Sequence, residues 1–291
     1  MDAVTQAMAS AAREHGVEIR TSAPVARILV RDGRAEGVRL ESGEELRARV
    51  VLANTDPKRT FLTFVGCEHL DTAFADGIAH LCMGHASLRM NLALNAAPEF
   101  AALAGAEAEL ARGSSITLLP DRATAERNYR RAREGGIPDD PYVAIVIPSA
   151  LDDSLAPPGH HVMSLLCKYY PYHLADGQHW DALREPVADR ILARIARHIP
   201  NLPRITVGRQ VLTPLDLERV FGLTEGDIFH GRHDLDQLFS LRPHPKAARY
   251  RTPVAGVYLC GSGSHPGGGV SGAPGHNAAR RVLRDLGRRL R

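Results

Sequence analysis

The stretch Val257-Tyr-Leu-Cys-Gly-Ser-Gly-Ser-His-Pro-Gly-Gly-Gly-Val-Ser-Gly-Ala-Pro-Gly275 decides how the chain is read. Seven glycines fall between Gly261 and Gly275, where ordinary usage of roughly 7% predicts about one. An apolar run ending at Cys260 precedes them and an amphipathic helical pattern follows. That order predicts strand, glycine loop and helix, which brings bare backbone and a helix N-terminus up to an anionic or polar ligand. Spacing supports the helix: Ala278, Val282, Leu286 and Leu290 recur every fourth residue, and Ala279 and Leu283 widen the stripe. Arg280, Arg281, Arg284, Arg288 and Arg289 occupy the other faces. They gather where the helix dipole is negative and read as a solvated face, not a nucleic-acid patch.

Two familiar phosphate-binding patterns are absent from this loop. A P-loop needs Gly-x-x-x-x-Gly-Lys-Ser/Thr, and no lysine follows Lys246. The dinucleotide fingerprint needs Gly-x-Gly-x-x-Gly, whereas Gly261, Gly263 and Gly267 run Gly-x-Gly-x-x-x-Gly, with Pro266 at the last glycine's place.

The longer run Gly256 to Ala279 closely resembles the C-terminal FAD-binding signature of phytoene-desaturase-like flavoproteins, nearest the pyridine nucleotide-disulfide oxidoreductase domain-containing protein 2 group. Further matches extend the resemblance over nearly the whole chain: Val50-Val-Leu-Ala-Asn-Thr-Asp-Pro57, Pro141-Tyr-Val, Leu155-Ala-Pro-Pro-Gly159, Leu212-Thr-Pro-Leu-Asp-Leu-Glu218, Ile228-Phe-His-Gly231 and Asp236-Gln-Leu-Phe239. The resemblance implies FAD as cofactor. It places Gly261 and Ser262 against the ribityl–pyrophosphate part, Gly268, Gly269, Val270 and Ser271 along the flavin edge, and the backbone of Val25 at the adenine. Many proteins of the wider class carry an acid where Ser262 stands, which would alter one cofactor hydrogen bond. Such enzymes also open with a strand–turn–helix bearing Gly-x-Gly-x-x-Gly, and nothing upstream of Thr21 could form it. The resemblance therefore covers a C-terminal half, and a separate N-terminal FAD-binding part is the expected partner.

Composition fits a folded globular chain. The 291 residues are 44% hydrophobic, with 36 basic against 33 acidic residues and a net charge of +3, a balance that argues against a nucleic-acid partner. Met1 is followed by Asp2, and polar residues interrupt every apolar run short of a membrane span, so the expected location is cytoplasmic. The four cysteines form no Cys-x-x-Cys pair, which argues against a redox dithiol. Cys67, His69, His80, Cys82 and His85 crowd together, but their gaps miss zinc spacings and no metal is expected.

The fold expected is α/β (α+β): an incomplete FAD/NAD(P)-binding Rossmann-like domain, residues 1–57 and 247–291, with an inserted sheet-plus-helices substrate domain, residues 58–246. Val4, Ala7, Met8, Ala11 and Ala12 make one helical face, Gly16 stops it, and Val17–Arg20 begins an extended segment. Strands Pro24–Arg31 and Glu36–Glu41 flank the turn Asp32-Gly33, and Ser42-Gly43 turns the chain toward Leu46–Ala53, whose last residues suit a central parallel strand. In the insertion Leu88, Met90, Leu92 and Leu94 alternate with more polar residues, as do Val143, Ile145 and Ile147, and Val162–Tyr169 is extended. Asp121 caps one helix; Leu183, Val187, Ile191, Ile195 and Ile199 trace another; Thr213-Pro214-Leu215-Asp216 opens a third.

In a flavin enzyme the ring takes the hydride, and the protein holds it against a substrate C–H bond. His230, His265 and His276 are candidates for proton transfer because imidazole titrates near neutrality; none is singled out, and loss of hydride from an unactivated carbon chain need not use a strong base. Two function classes remain. One is an FAD-dependent oxidoreductase, desaturase-like or of amine-oxidase type, acting on a small organic, apolar substrate with scope for peripheral membrane or lipid contact. The other is a non-catalytic escort that binds lipid or prenyl groups. The intact glycine run favours the enzyme.

Overall fold

A computed structural model describes residues 2–84 and 86–287. Helix α1 (Asp2–Glu14) precedes the meander β1 (Val25–Arg31), β2 (Arg34–Leu40) and β3 (Glu45–Arg47), followed by β4 (Val51–Ala53) and helix α2 (Thr72–Ala79). A larger sheet and its helices follow: β5 (Ala86–Leu94), α3 (Gly105–Arg112), β6 (Ile116–Leu118), α4 (Arg122–Arg133), β7 (Val143–Val146), β8 (His161–Tyr170), α5 (Trp180–Ala196), α6 (Leu202–Ile205), β9 (Thr206–Leu212) and α7 (Pro214–Phe221). Strand β10 (Val257–Leu259) and helix α8 (Ala273–Asp285) complete it.

Local chemistry accounts for several of these boundaries. β1 and β2 pair antiparallel around Asp32 and Gly33, both left-handed at φ 48° and 71°, the geometry a two-residue hairpin turn needs. Asp121 accepts from the Thr124 N–H and caps α4. Thr213 and Asp216 satisfy each other's backbone N–H at the start of α7, a capping box that contributes roughly 1 kcal/mol.

Five antiparallel strands run in the order β6-β7-β8-β5-β9. Leu88, Met90, Leu92 and Leu94 of β5 are buried together with Ile145, Met163, Leu165 and Cys167, and α5 covers that face with Val187, Ala188, Ile191 and Ile195. Burial pushes the Cys167 thiol up to about 12. A second core joins Ile28, Ala35, Ala53, Val257 and Leu259 to Phe61, Val65, Phe74 and Ile78 of the segment after β4, with Phe61 and Phe74 edge to face at 4.9 Å.

Several elements differ from their sequence reading. The segment Leu46–Ala53 is split: β3 continues the meander while β4 pairs parallel with β10, its one strand partner among the described residues. Val17–Arg20 is irregular, and Val17 and Ile19 are exposed, since an extended segment needs a neighbouring strand to claim its backbone. The apolar face of α1 is also uncovered, with Val4 54% and Met8 65% exposed. On α8, Ala278 and Val282 are buried, but Leu286 caps the end at 40% exposure; Arg288, Arg289 and Leu290 lie outside the described residues. No helix among the described residues is long and apolar enough to cross a membrane.

Candidate functional site

β10 leads through loop 260–272 into α8, and close packing explains its glycines as far as Gly268. A Cβ on Gly261 would stand 2.6 Å from both the carbonyl and side-chain oxygens of Asn54. One on Gly268 would stand 2.8 Å from the Phe229 ring. Beyond Gly268 the loop is open to solvent: Gly269, Val270, Ser271 and Gly272 are exposed. Val270 has φ 57°, a left-handed conformation that costs a β-branched residue roughly 1–2 kcal/mol. The Ala273 N–H donates to Ser271 Oγ at 3.3 Å. Among the described residues, the backbone N–H groups of Gly268, Gly269, Val270, Ser271 and Gly272 find no acceptor in the protein. They run into the positive end of α8, whose first turn carries no acid, so negative charge there would be favoured.

Beneath the loop lies a polar hub that sequence reasoning missed. Arg242, 1% exposed, donates to the carbonyls of Phe229 at 2.6 Å, Ser262 at 2.8 Å, Arg232 at 3.1 Å, Gly231 at 3.2 Å and Gln237 at 3.4 Å. Burial pulls its pKa down, opposed by Asp227. Asp227 in turn accepts from the N–H groups of Gly84, Phe229 and Gly231 at 2.6–2.8 Å. Asp56, also buried, accepts from the Arg59 N–H at 2.9 Å and the Thr224 hydroxyl at 2.8 Å. The guanidinium thus ties the glycine loop, through Ser262, to the 229–232 turn. An arginine serving main-chain carbonyls leaves no spacing pattern; only Ile228–Gly231 and Asp236–Phe239, matched by resemblance, pointed near it.

The sequence candidates are distributed unevenly about this loop. Gly261, Ser262 and Gly268 come together: a Cβ on Gly268 would lie 3.4 Å from Ser262 Oγ. Gly269, Val270 and Ser271 form the exposed tip. Val25 pairs with Leu40 and lines a cavity of about 360 Å³ with Asn54, Arg59 and Phe64. Asn54, wedged against Gly261, joins that cavity to the start of the glycine loop.

The three histidines separate as well. His230 is half-buried, with its Nδ1 enclosed and unpartnered. Burial first, and then Arg242, lowers its pKa against the pull of Asp56 and Asp227. His265 accepts from the Tyr250 hydroxyl through its carbonyl at 2.8 Å, its ring tilted on Phe239. His276 is exposed on the first turn of α8. Of the cysteine–histidine group, Cys67 and Cys82 are exposed free thiols and His80 bonds the Asp76 carbonyl at 2.8 Å; His85 lies outside the described residues. Among the described residues no three His, Cys, Asp or Glu side chains gather as a metal site.

No protein-family model matches the chain. It is 44% identical over 293 residues to the pyridine nucleotide-disulfide oxidoreductase domain-containing protein 2 of Rattus norvegicus, which covers 98% of this chain and 50% of that protein. A component of the limonene dehydrogenase of Castellaniella defragrans is 27% identical, over 94% of this chain and 52% of its own length. The zeta-carotene-forming phytoene desaturase of Myxococcus xanthus is 28% identical, over 92% and 48%. The chain spans about half the length of the curated relatives it matches. An oxidoreductase from Methanosarcina mazei shares the fold at a TM-score of 0.59 and 17% identity, covering 96% of this chain and 53% of that one. A putrescine oxidase variant does so at 0.53 and 15%, covering 94% and 51%. The fold is therefore a mixed α/β, partial Rossmann-like one, and the relatives are oxidoreductases.

Proposed function

Because the chain is a phytoene-desaturase-like relative of the pyridine nucleotide-disulfide oxidoreductase domain-containing protein 2 group, we propose that it forms the flavin-edge half of an FAD-dependent oxidoreductase that removes hydride from an organic, apolar substrate. One observation carries this reading: consecutive unclaimed N–H groups from Gly268 to Gly272 lead into the positive end of α8. Bare backbone of this kind fits the edge of a planar, electron-accepting ring. The strained Val270 supports it, because such strain persists where the surroundings hold the main chain for a task. When bound, FAD would supply the hydride-accepting ring.

The chain's own residues would orient and stabilise. The amides of 268–272 would favour negative charge at the ring edge, and the backbone of Val25 would meet the adenine. Arg242 would hold the loop in register through Ser262, and Phe229 would shield Gly268 from water. His230, with its lowered pKa, would stay neutral at pH 7 and could serve there only as a weak base. The names of two relatives, a limonene dehydrogenase and a phytoene desaturase, support an apolar substrate. Exposed Leu235, Phe239 and Val270 offer contact with a lipid surface. The remaining phosphate cradle would come from a part bearing Gly-x-Gly-x-x-Gly that covers Val4, Met8, Val17 and Ile19.

The test is FAD titration of the chain alone and with a polypeptide carrying that part, followed by visible absorption. Weak binding alone, stoichiometric flavin in the pair, and anaerobic bleaching by an isoprenoid hydrocarbon are expected. Gly268→Val should abolish flavin uptake by the pair. A pair that never takes up flavin, or that binds lipid tightly without it, would overturn the enzyme reading in favour of an escort.

A further inference from the structure

A second cavity, of about 410 Å³, lies where α4, the end of β8 and the 79–84 segment meet, a volume within the range of small-molecule sites. Three cations from distant parts of the chain converge on it: Lys58, Arg133 and Arg232. A solvated surface has no need of such convergence. Among the described residues Glu225 is the one carboxylate in the lining, and Lys58 engages it at 3.4 Å. Arg133 has no ion pair among the described residues. Arg232 is paired from outside the lining, by Asp234 at 3.2 Å, a half-exposed partner that solvent screens.

The walls are held independently of any ligand. Glu225 is fixed in a left-handed conformation at φ 54°, its N–H donating to Glu218 at 2.9 Å, and Glu218 also takes the Tyr172 hydroxyl hydrogen bond. The main chain of Arg232 is pinned at both ends, its N–H to the Cys82 carbonyl at 3.0 Å and its carbonyl to Arg242 at 3.1 Å. Its backbone is thereby fixed, and a planar anion would compete with Asp234 and the Cys82 thiol for the forked donors of its guanidinium. Buried Leu81 and Met83 give the same cavity an apolar side.

We propose that this cavity binds the carboxylate of a small amphipathic organic acid, with Arg133 and Arg232 on the head group and Leu81 and Met83 along the alkyl body. Glu225 at one end, with Glu218 behind it, disfavours a dianion and selects a single charge. Arg232 lies three residues from Phe229, which abuts Gly268, so on the oxidoreductase reading the alkyl body would run toward the glycine loop. That direction alone rests on the reading above; the site does not.

Isothermal calorimetry of the protein with octanoate, octanol and inorganic phosphate tests it. Saturable octanoate binding is expected, with octanol and phosphate at least about ten-fold weaker, the cost of losing one charge-assisted contact or mismatching the body. Arg133→Gln and Arg232→Gln should each weaken octanoate about ten-fold. Arg133 is exposed on α4, so its variant keeps the fold even if the other does not. Equal binding of octanol or phosphate, or unchanged octanoate affinity in Arg133→Gln, overturns the proposal. The readout involves no flavin, so a protein that binds octanoate yet never takes up FAD even when paired with the part bearing Gly-x-Gly-x-x-Gly counts against the redox reading and leaves this one standing.

Discussion

The five-stranded sheet and the glycine-loop region solve the same burial problem to different extents. On the sheet, β5 and β8 bury their apolar side chains under α5, and the largest of them are within 2% of complete burial. The glycine-loop region has its own core around Phe61, Phe74, Val257 and Leu259, yet Val4, Met8, Val17, Ile19 and Leu52 stay exposed nearby in sequence. Its loop is held less by apolar packing than by one buried guanidinium. The sheet is thus specified by periodic side chains acting over large area, whereas the loop is specified by a few polar contacts that aim backbone outward. The second kind of order is easier to break locally, and it is the kind a ligand can use.

Removing Arg242 should have the largest effect. Arg242→Ala strips hydrogen bonds from five carbonyls and leaves several of them unsatisfied, which costs about 4 kcal/mol. Hydrogen exchange should show amide protection lost around 229–232 and 261–267 while β5 and β8 keep theirs. Simultaneous loss in both regions would break the contrast and make the whole chain one cooperative unit.

The difference in kind also explains what could be read in advance. The alternation of Leu88, Met90, Leu92 and Leu94 and the caps at Asp121 and Thr213 are periodic or local signals, and each element stands where those signals put it. The strand, loop and helix around Gly261–Gly275 were legible for the same reason. Arg242, Asp227 and Asp56 were not: each joins groups from separate stretches of the chain, and bonding to main chain imposes no residue type on the partner. The split of Leu46–Ala53 between two sheets depends on which strand lies alongside, something that composition does not encode. The bare face of α1 was read correctly as apolar, but periodicity does not tell what covers it.

Acid should act next most strongly, and again on one region. His230, His233 and His244 all have pKa values below the ordinary 6.5, chiefly through burial, with Arg242 adding to the first two and Lys246 to the third. In the unfolded chain each would bind its proton near 6.5, so between pH 7 and 5 the unfolded state takes up more protons than the folded one. Stability from these groups is therefore full above 6.5 and is lost as pH falls through their lowered folded values. Carboxylates, with ordinary values near 4, contribute little in that window. Exchange protection around the glycine loop should fall from pH 7 to 5 while the apolar core of β5 and β8 keeps its own, and His230→Asn should blunt the fall. A uniform loss across both regions would sink this account.

The smallest effect should come from α1, where the contrast is sharpest. Met8 is 65% exposed and Val4 54%, so their apolar surface is already in water in the folded chain and little is lost by making it polar. Met8→Ser should change the urea midpoint by no more than about 0.5 kcal/mol equivalent, against about 3 kcal/mol for a buried Leu92→Ala on the sheet. A near-zero change for the chain alone, turning into a loss of binding once a part bearing Gly-x-Gly-x-x-Gly is supplied, would identify α1 as a contact surface for that part. A cost for the chain alone approaching that of Leu92→Ala would instead mean that α1 is covered in solution, and the exposure that separates the two regions would no longer distinguish them.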